Sequence, residues 1–271
     1  MSLIVFSHGN SFPAATYSVL FKNLRSRGFV VKAVDKFGHD PAYPVTDNWP
    51  YLVAQLTDFA RREVDKAGEA AFLVGHSLGG FLSLMCAARH PELARGVLLL
   101  DSPLLGGWKA TALNAMKLTP LVGSLSPGAV SRKRRNSWPS KEAALDHLRH
   151  KKAFAKWEPQ VLLDYVTHCT HEVEDGGRAL DFDRDVETAI YNTLPDNLDR
   201  LLKRHPLKCP AAFIGGRQSL EMKRVGTAMT EQVTRGRMMM LDGSHLFPME
   251  KPLATAAAIE AALRGYDFLP P

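Results

Sequence analysis

The sequence predicts an α/β fold: a mostly parallel sheet of about six strands flanked by helices, with an all-helical segment inserted between the fourth and fifth strands. Three observations carry this expectation. Short apolar runs alternate with amphipathic stretches of helical spacing at both ends of the 271-residue chain. The alternation halts after Pro103 and resumes near Leu207, with only helical periodicity between them. Glycines and polar residues gather just after the apolar runs, where a parallel sheet presents the carboxyl ends of its strands.

Element by element, Leu3 to Phe6 reads as a buried strand ending at Ser7-His8-Gly9-Asn10. Ala15 to Arg27 has helical spacing and stops at Gly28, and Phe29 to Val34 is a second strand ending at Asp35. Tyr51 to Lys66 is a helix closed by Gly68, and Ala71 to Val74 is a third strand. Leu78 to Arg89 is the next helix, stopped by His90-Pro91, and Gly96 to Leu100 is a fourth strand running into Asp101-Ser102-Pro103. In the inserted segment one helix starts at Ser140, a good N-cap, another follows Pro159, and a third lies in DVETAIYNTL. Pro210 to Ile214 and Arg237 to Leu241 supply the fifth and sixth strands, separated by a helix over Gln218 to Val233 and followed by a closing helix over Leu253 to Leu263. The expected organisation is a single core, 1–103 and 207–271, with a helical cap, 104–206. Asn10, Asp35, Ser77, Asp101, Gln218 and His245 all fall at one edge of the sheet, and the cap is expected to lie over it.

Composition narrows the function classes. Cys86, Cys169 and Cys209 are odd in number, far apart and without CxxC or Cys/His spacing, which argues against a disulfide framework and a structural zinc site. The N-terminal apolar run is short and has no basic lead-in, and no 18-residue apolar window occurs, so the expectation is a cytoplasmic protein without an integral membrane segment. The formal net charge of +6 concentrates in Arg132, Lys133, Arg134 and Arg135 and in His147 to Lys156. No nucleic-acid motif and few aromatics accompany these clusters, so they read as solvated faces and no nucleic-acid partner is expected.

Gly75-His76-Ser77-Leu78-Gly79 matches G-x-S-x-G between a strand and a helix. A nucleophile on such a turn sits in strained backbone with its hydroxyl pushed out of the sheet edge, and small neighbours let strand and helix approach. A hydroxyl needs a base, and His245 lies in the loop after the last strand. An oxyanion needs backbone donors. Leu78 opens the helix after the serine, and Asn10 belongs to a turn where Gly9 permits close approach.

On these residues the chain resembles the α/β-hydrolase superfamily, through SHGN at Ser7 to Asn10, VGHSLGG at Val74 to Gly80, LLLDSP at Leu98 to Pro103 and GSHLFPMEKP at Gly243 to Pro252. It is most similar to capped serine esterases and lipases of the peroxisomal-lipase type, in RRNSWPSKEAAL and WEPQVLLDYV of the cap. Two features depart from the pattern. The chain opens directly on the strand before SHGN, so about six strands are expected in place of eight. In IGGRQSLE, Ser219 occupies the slot where relatives carry the acid.

The resemblance implies a serine hydrolase of small carboxylic esters or thioesters, with Ser77 as nucleophile, His245 as base and Leu78 and Asn10 at the oxyanion, and with no cofactor or metal. Other reactions of the same triad, such as C–C bond hydrolysis or perhydrolysis, stay open, as does a catalytically silent binding protein. Three carboxylates compete for the acid. Asp242 is three residues before His245 on the same strand end, and Glu221 lies two residues past the usual slot. Asp101 ends the strand next after the nucleophile strand, a position from which some superfamily members draw their acid, and it is the preferred choice with Glu221 second.

Overall fold

A computed structural model describes residues 2–107, 131–132, 134–174 and 176–266. Six strands form one fully parallel sheet: β1 (Leu3–Ser7), β2 (Val30–Ala33), β3 (Ala71–His76), β4 (Ala94–Leu100), β8 (Ala211–Gly216) and β9 (Met238–Leu241), in the order β2-β1-β3-β4-β8-β9. The order reverses at β1, whose neighbours are β2 on one side and β3 on the other, and a crevice opens at such a point.

Alternation along the strands divides the core in two. Ile4 and Phe6 face α1 (Ser18–Ser26) and α11 (Pro252–Tyr266), packing with Leu20, Leu24 and Ile259. Leu3 and Val5 face α2 (Pro50–Ala67) and α3 (Leu78–Arg89), packing with Leu52, Leu56 and Leu82. With both faces covered, strands such as LIVFS are buried at every residue, which is why they read as continuous apolar runs.

Between β4 and β8 the described residues hold α4 (Lys141–Arg149), α5 (Pro159–His168), α6 (Arg184–Asn192) and α7 (Leu198–Arg204). The Ser140 hydroxyl caps α4 through the Ala143 N–H, and Pro159 opens α5, as the sequence predicts. The segment is not all-helical, however. β5 (Ser137–Trp138), β6 (Thr170–Glu172) and β7 (Arg178–Leu180) form a small antiparallel sheet in the order β5-β7-β6. Strands of two or three residues are too short for a two-residue alternation to register. The helix expected over Gln218 to Val233 is two, α8 (Leu220–Val225) and α9 (Ala228–Thr234), parted at Gly226, and a short α10 (Phe247–Glu250) precedes α11. No helix among the described residues is long and apolar enough to cross a membrane.

Register brings the strand ends level. Ser7 lies opposite Gly75, His76 opposite Leu100, Leu100 opposite Ile214, and Gly216 opposite Leu241. The turns that follow β1, β3, β4, β8 and β9 therefore meet at one edge.

Candidate active site

Ser77 is the single residue between β3 and α3, with φ 52° and ψ −116°. A β-carbon on Gly75 would lie 2.1 Å from the carbonyl of Gly79, and one on Gly79 would lie 2.0 Å from the Ser7 carbonyl oxygen. Strand, helix and the neighbouring strand end thus approach as closely as backbone permits, and the turn is left with its serine pointing off the edge.

His245, in the loop between β9 and α10, sets its Nε2 3.1 Å from the Ser77 Oγ. On the other side of the ring, Nδ1 lies 2.8 Å from Asp101 Oδ1. A carboxylate only accepts, so Nδ1 carries the proton and Nε2 presents its lone pair to the serine hydroxyl. Asp101 follows β4 and also has positive φ, 41°, with a fully buried side chain. It accepts from the Gly216 N–H at 2.7 Å and from the Ser219 hydroxyl at 2.6 Å. Burial pushes its carboxyl up, but His245 and these donors outweigh that and hold it below the usual carboxylate range. Burial pushes His245 down, and Asp101, with a smaller contribution from Glu221, more than reverses this, so the net shift is upward.

The rival carboxylates sit differently. Glu221 Oε2 is 3.8 Å from the same Nδ1, on a side chain 43% exposed. Asp242 is held away by Lys251 at 2.5 Å and by Gln218 at 3.0 Å. Asp101, Glu221 and His245 are the one group among the described residues whose potential metal-ligand atoms all lie within 4.8 Å. The Asp101 oxygens already receive three donors, so the cluster is a filled hydrogen-bond network rather than an open ligand set.

Leu78 is the first residue of α3, so no helix carbonyl reaches its N–H. The Asn10 carboxamide donates to the Glu187 carbonyl of α6 at 3.0 Å, so its side chain is committed to the inserted segment. Within the basic cluster, Arg134 pairs with Glu187 at 2.9 Å, Arg135 donates to the Ser137 carbonyl, Arg132 is exposed, and Lys133 lies outside the described residues. A cavity of about 500 Å³ between α7, α9 and the amino end of β8, and one of about 410 Å³ beside Arg132 and His171, are not lined by Ser77, Asp101 or His245.

The structure gathers Asn10, Ser77, Asp101 and His245 at the edge the sequence predicts, with Leu78 beside Ser77 at the start of α3. Sequence reasoning missed Gly216, the role of the Ser219 hydroxyl and the contact with Glu187. Only Ser219 left a signal, as the residue standing in the usual acid slot.

The model of the family described as "Alpha/beta hydrolase family" matches residues 4–258. A monoglyceride lipase homolog of monkeypox virus is 28% identical over 132 residues, covering 47% of this chain and 47% of that one. The chain spans less than half the length of the first curated relatives it matches. Among solved structures, the thioesterase domain from the curacin biosynthetic pathway superposes with a TM-score of 0.73 at 18% identity, over 96% of this chain and 91% of that one. The peroxisomal alpha-beta-hydrolase Lpx1 of Saccharomyces cerevisiae gives 0.72 at 14% identity, over 99% and 77%. These last two likenesses are of fold.

Proposed function

Because the chain belongs to the alpha/beta hydrolase family, we propose that it is a serine hydrolase that cleaves a carboxylic ester or thioester through an acyl-enzyme. The observation that carries this reading is the line of contacts from Ser77 Oγ to His245 Nε2, 3.1 Å, and from His245 Nδ1 to Asp101, 2.8 Å. His245 takes the serine proton as Oγ attacks the carbonyl carbon, and Asp101 stabilises the imidazolium. The N–H groups of Leu78 and Asn10 hold the negative oxygen of the tetrahedral intermediate. Its collapse breaks the bond to the alcohol or thiol, which leaves with the proton from His245. A water, deprotonated by the same ring, then attacks the acyl-serine and releases the acid.

An ester substrate is favoured by the similarity to a monoglyceride lipase homolog, and a thioester presents the same acyl carbon to Ser77 with a thiol as its leaving group. The contact of a buried carboxylate with His245 Nδ1 supports the enzyme reading over the silent-binding alternative. We read the insertion 104–206, of which residues 108–130, 133 and 175 lie outside those described, as a cap, and its described part supports this by the ties of Glu187 to Asn10, Lys156 to Gln218 and Glu158 to Met249 at this edge. The protein is read as cytoplasmic.

The test is a chain-length series of p-nitrophenyl esters and acyl-CoA thioesters, assayed with wild type and Ser77→Ala. The expected result is turnover of at least one series by wild type and a loss on the order of a million-fold in the variant. Hydrolysis at near wild-type rate by folded Ser77→Ala overturns the assignment.

A further inference from the structure

His76 stands next to the nucleophile, is fully buried, and takes no part in the steps above. Its Nε2 lies 2.9 Å from the main-chain carbonyl of His245. A carbonyl accepts only, so Nε2 carries the proton and Nδ1 is the acceptor in the neutral ring. The Tyr17 hydroxyl, 2.7 Å from Nδ1, therefore donates to it. That hydroxyl in turn accepts from the Gly9 N–H at 2.9 Å. The chain of bonds is continuous and directional: Gly9 N–H to Tyr17 oxygen, Tyr17 O–H to His76 Nδ1, His76 Nε2–H to the His245 carbonyl.

We propose that Tyr17 and His76 are positioning residues that tie the oxyanion turn to the loop of the catalytic base. The inference rests on the serine-hydrolase reading of that site. One end of the chain is the residue before Asn10, and the other is the main chain of the histidine that moves the proton. The two belong to turns after β1 and β9, which are not neighbours in the sheet. No sheet ladder fixes their separation directly, whereas the buried side-chain chain spans it beneath Ser77.

Further contacts around these residues agree with this role. A β-carbon on Gly9 would stand 2.8 Å from His76 Nδ1 and 3.2 Å from the Tyr17 hydroxyl, so the glycine lets the turn reach the relay. The Gly9 carbonyl is pinned as well, by His8 Nδ1 at 2.8 Å, and His8 Nε2 accepts from the Phe37 N–H at 3.0 Å. The His76 and His245 rings are 5.0 Å apart, where a charged His76 would oppose the imidazolium. Burial, helped by His245, pushes His76 down to about 3 and keeps it neutral. His76 does not serve as the base itself, because both its nitrogens are engaged away from Ser77.

The test compares Tyr17→Phe, His76→Gln and His76→Asn with wild type, reading kcat and KM separately. A glutamine carboxamide reproduces the Nε2 donor toward the His245 carbonyl, and an asparagine does not reach it. The expectation for Tyr17→Phe is a fall of about tenfold in kcat with KM within about twofold. His76→Gln is expected to retain at least about fivefold more kcat than His76→Asn. Equal kcat for Gln and Asn, or Tyr17→Phe within twofold of wild type, overturns the inference. A readout independent of turnover is nitrogen-15 NMR of the His76 ring. Wild type is expected to show a neutral ring protonated at Nε2 at pH 6, and the opposite tautomer or a charged ring there overturns the relay whether or not the protein hydrolyses esters. Loss of hydrolysis by wild type itself would count against the serine-hydrolase reading and leave this NMR result to decide the relay.

Discussion

Two carboxylates approach His245 Nδ1, and burial separates their roles. Asp101 is buried, oriented by two further donors and 2.8 Å away, so its charge is fixed where the proposed mechanism forms the imidazolium. Glu221 is 3.8 Å away and 43% exposed, so water screens it and its geometry is loose. Asp101→Asn is expected to lower kcat on the order of ten-thousand-fold, as for a triad aspartate elsewhere, and Glu221→Gln by less than about tenfold. The reverse ranking would move the acid to Glu221. pH profiles separate them further. In the proposed mechanism His245 must be neutral to accept the proton, and its net shift is upward, so kcat/KM should rise with pH through a value above 6.5. Removing the Glu221 charge removes one of the upward pushes, so in Glu221→Gln that limb should move to lower pH. The preference for Asp101 was legible from the altered slot at Ser219. What holds Asp101 was not, because Gly216, at the end of β8, and Ser219, in the turn after it, lie 115 and 118 residues further on, and no local pattern links positions that far apart.

At the scale of elements, the turn between β3 and α3 accounts for the glycines around Ser77. The clearances at Gly75 and Gly79, 2.1 and 2.0 Å, exclude any side chain there. The strain falls on Ser77 itself, at φ 52°. Such a conformation costs about 1–3 kcal/mol in a non-glycine residue, and glycine returns about 0.5–1 kcal/mol of it through greater freedom in the unfolded chain. Ser77→Gly should therefore melt a few degrees above Ser77→Ala, at about 2–4 °C per kcal/mol, with both inactive. A Ser77→Gly that melts below Ser77→Ala would mean that the turn stores no strain. The sequence marked α3 with the bounds the structure gives it, Leu78–Arg89, since apolar spacing, the turn before it and His90-Pro91 after it agree. It did not mark β5, β6 and β7, which are two or three residues long, nor the break between α8 and α9, where helical spacing runs on through Gly226 while the backbone leaves it at φ 83°.

At the scale of the molecule, six parallel strands end level, and the strand order reverses at β1, beside β3, the strand that leads into Ser77. The sheet count and the placement of the site at its carboxyl edge were legible because buried parallel strands print themselves as apolar runs followed by polar turns. The hydrogen-bond chain through Tyr17 and His76 was not, because its bonds join residues 8, 59 and 169 positions apart, which no local pattern links. On the proposed function, this edge carries an acylatable serine activated by His245. Reaction of the native protein with a fluorophosphonate, followed by intact mass and peptide mapping, tests this. A single stoichiometric adduct is expected on Ser77, absent in Ser77→Ala and slow to form in Asp101→Asn. A folded protein that stays unlabelled, or one labelled at another residue, would contradict the proposed function.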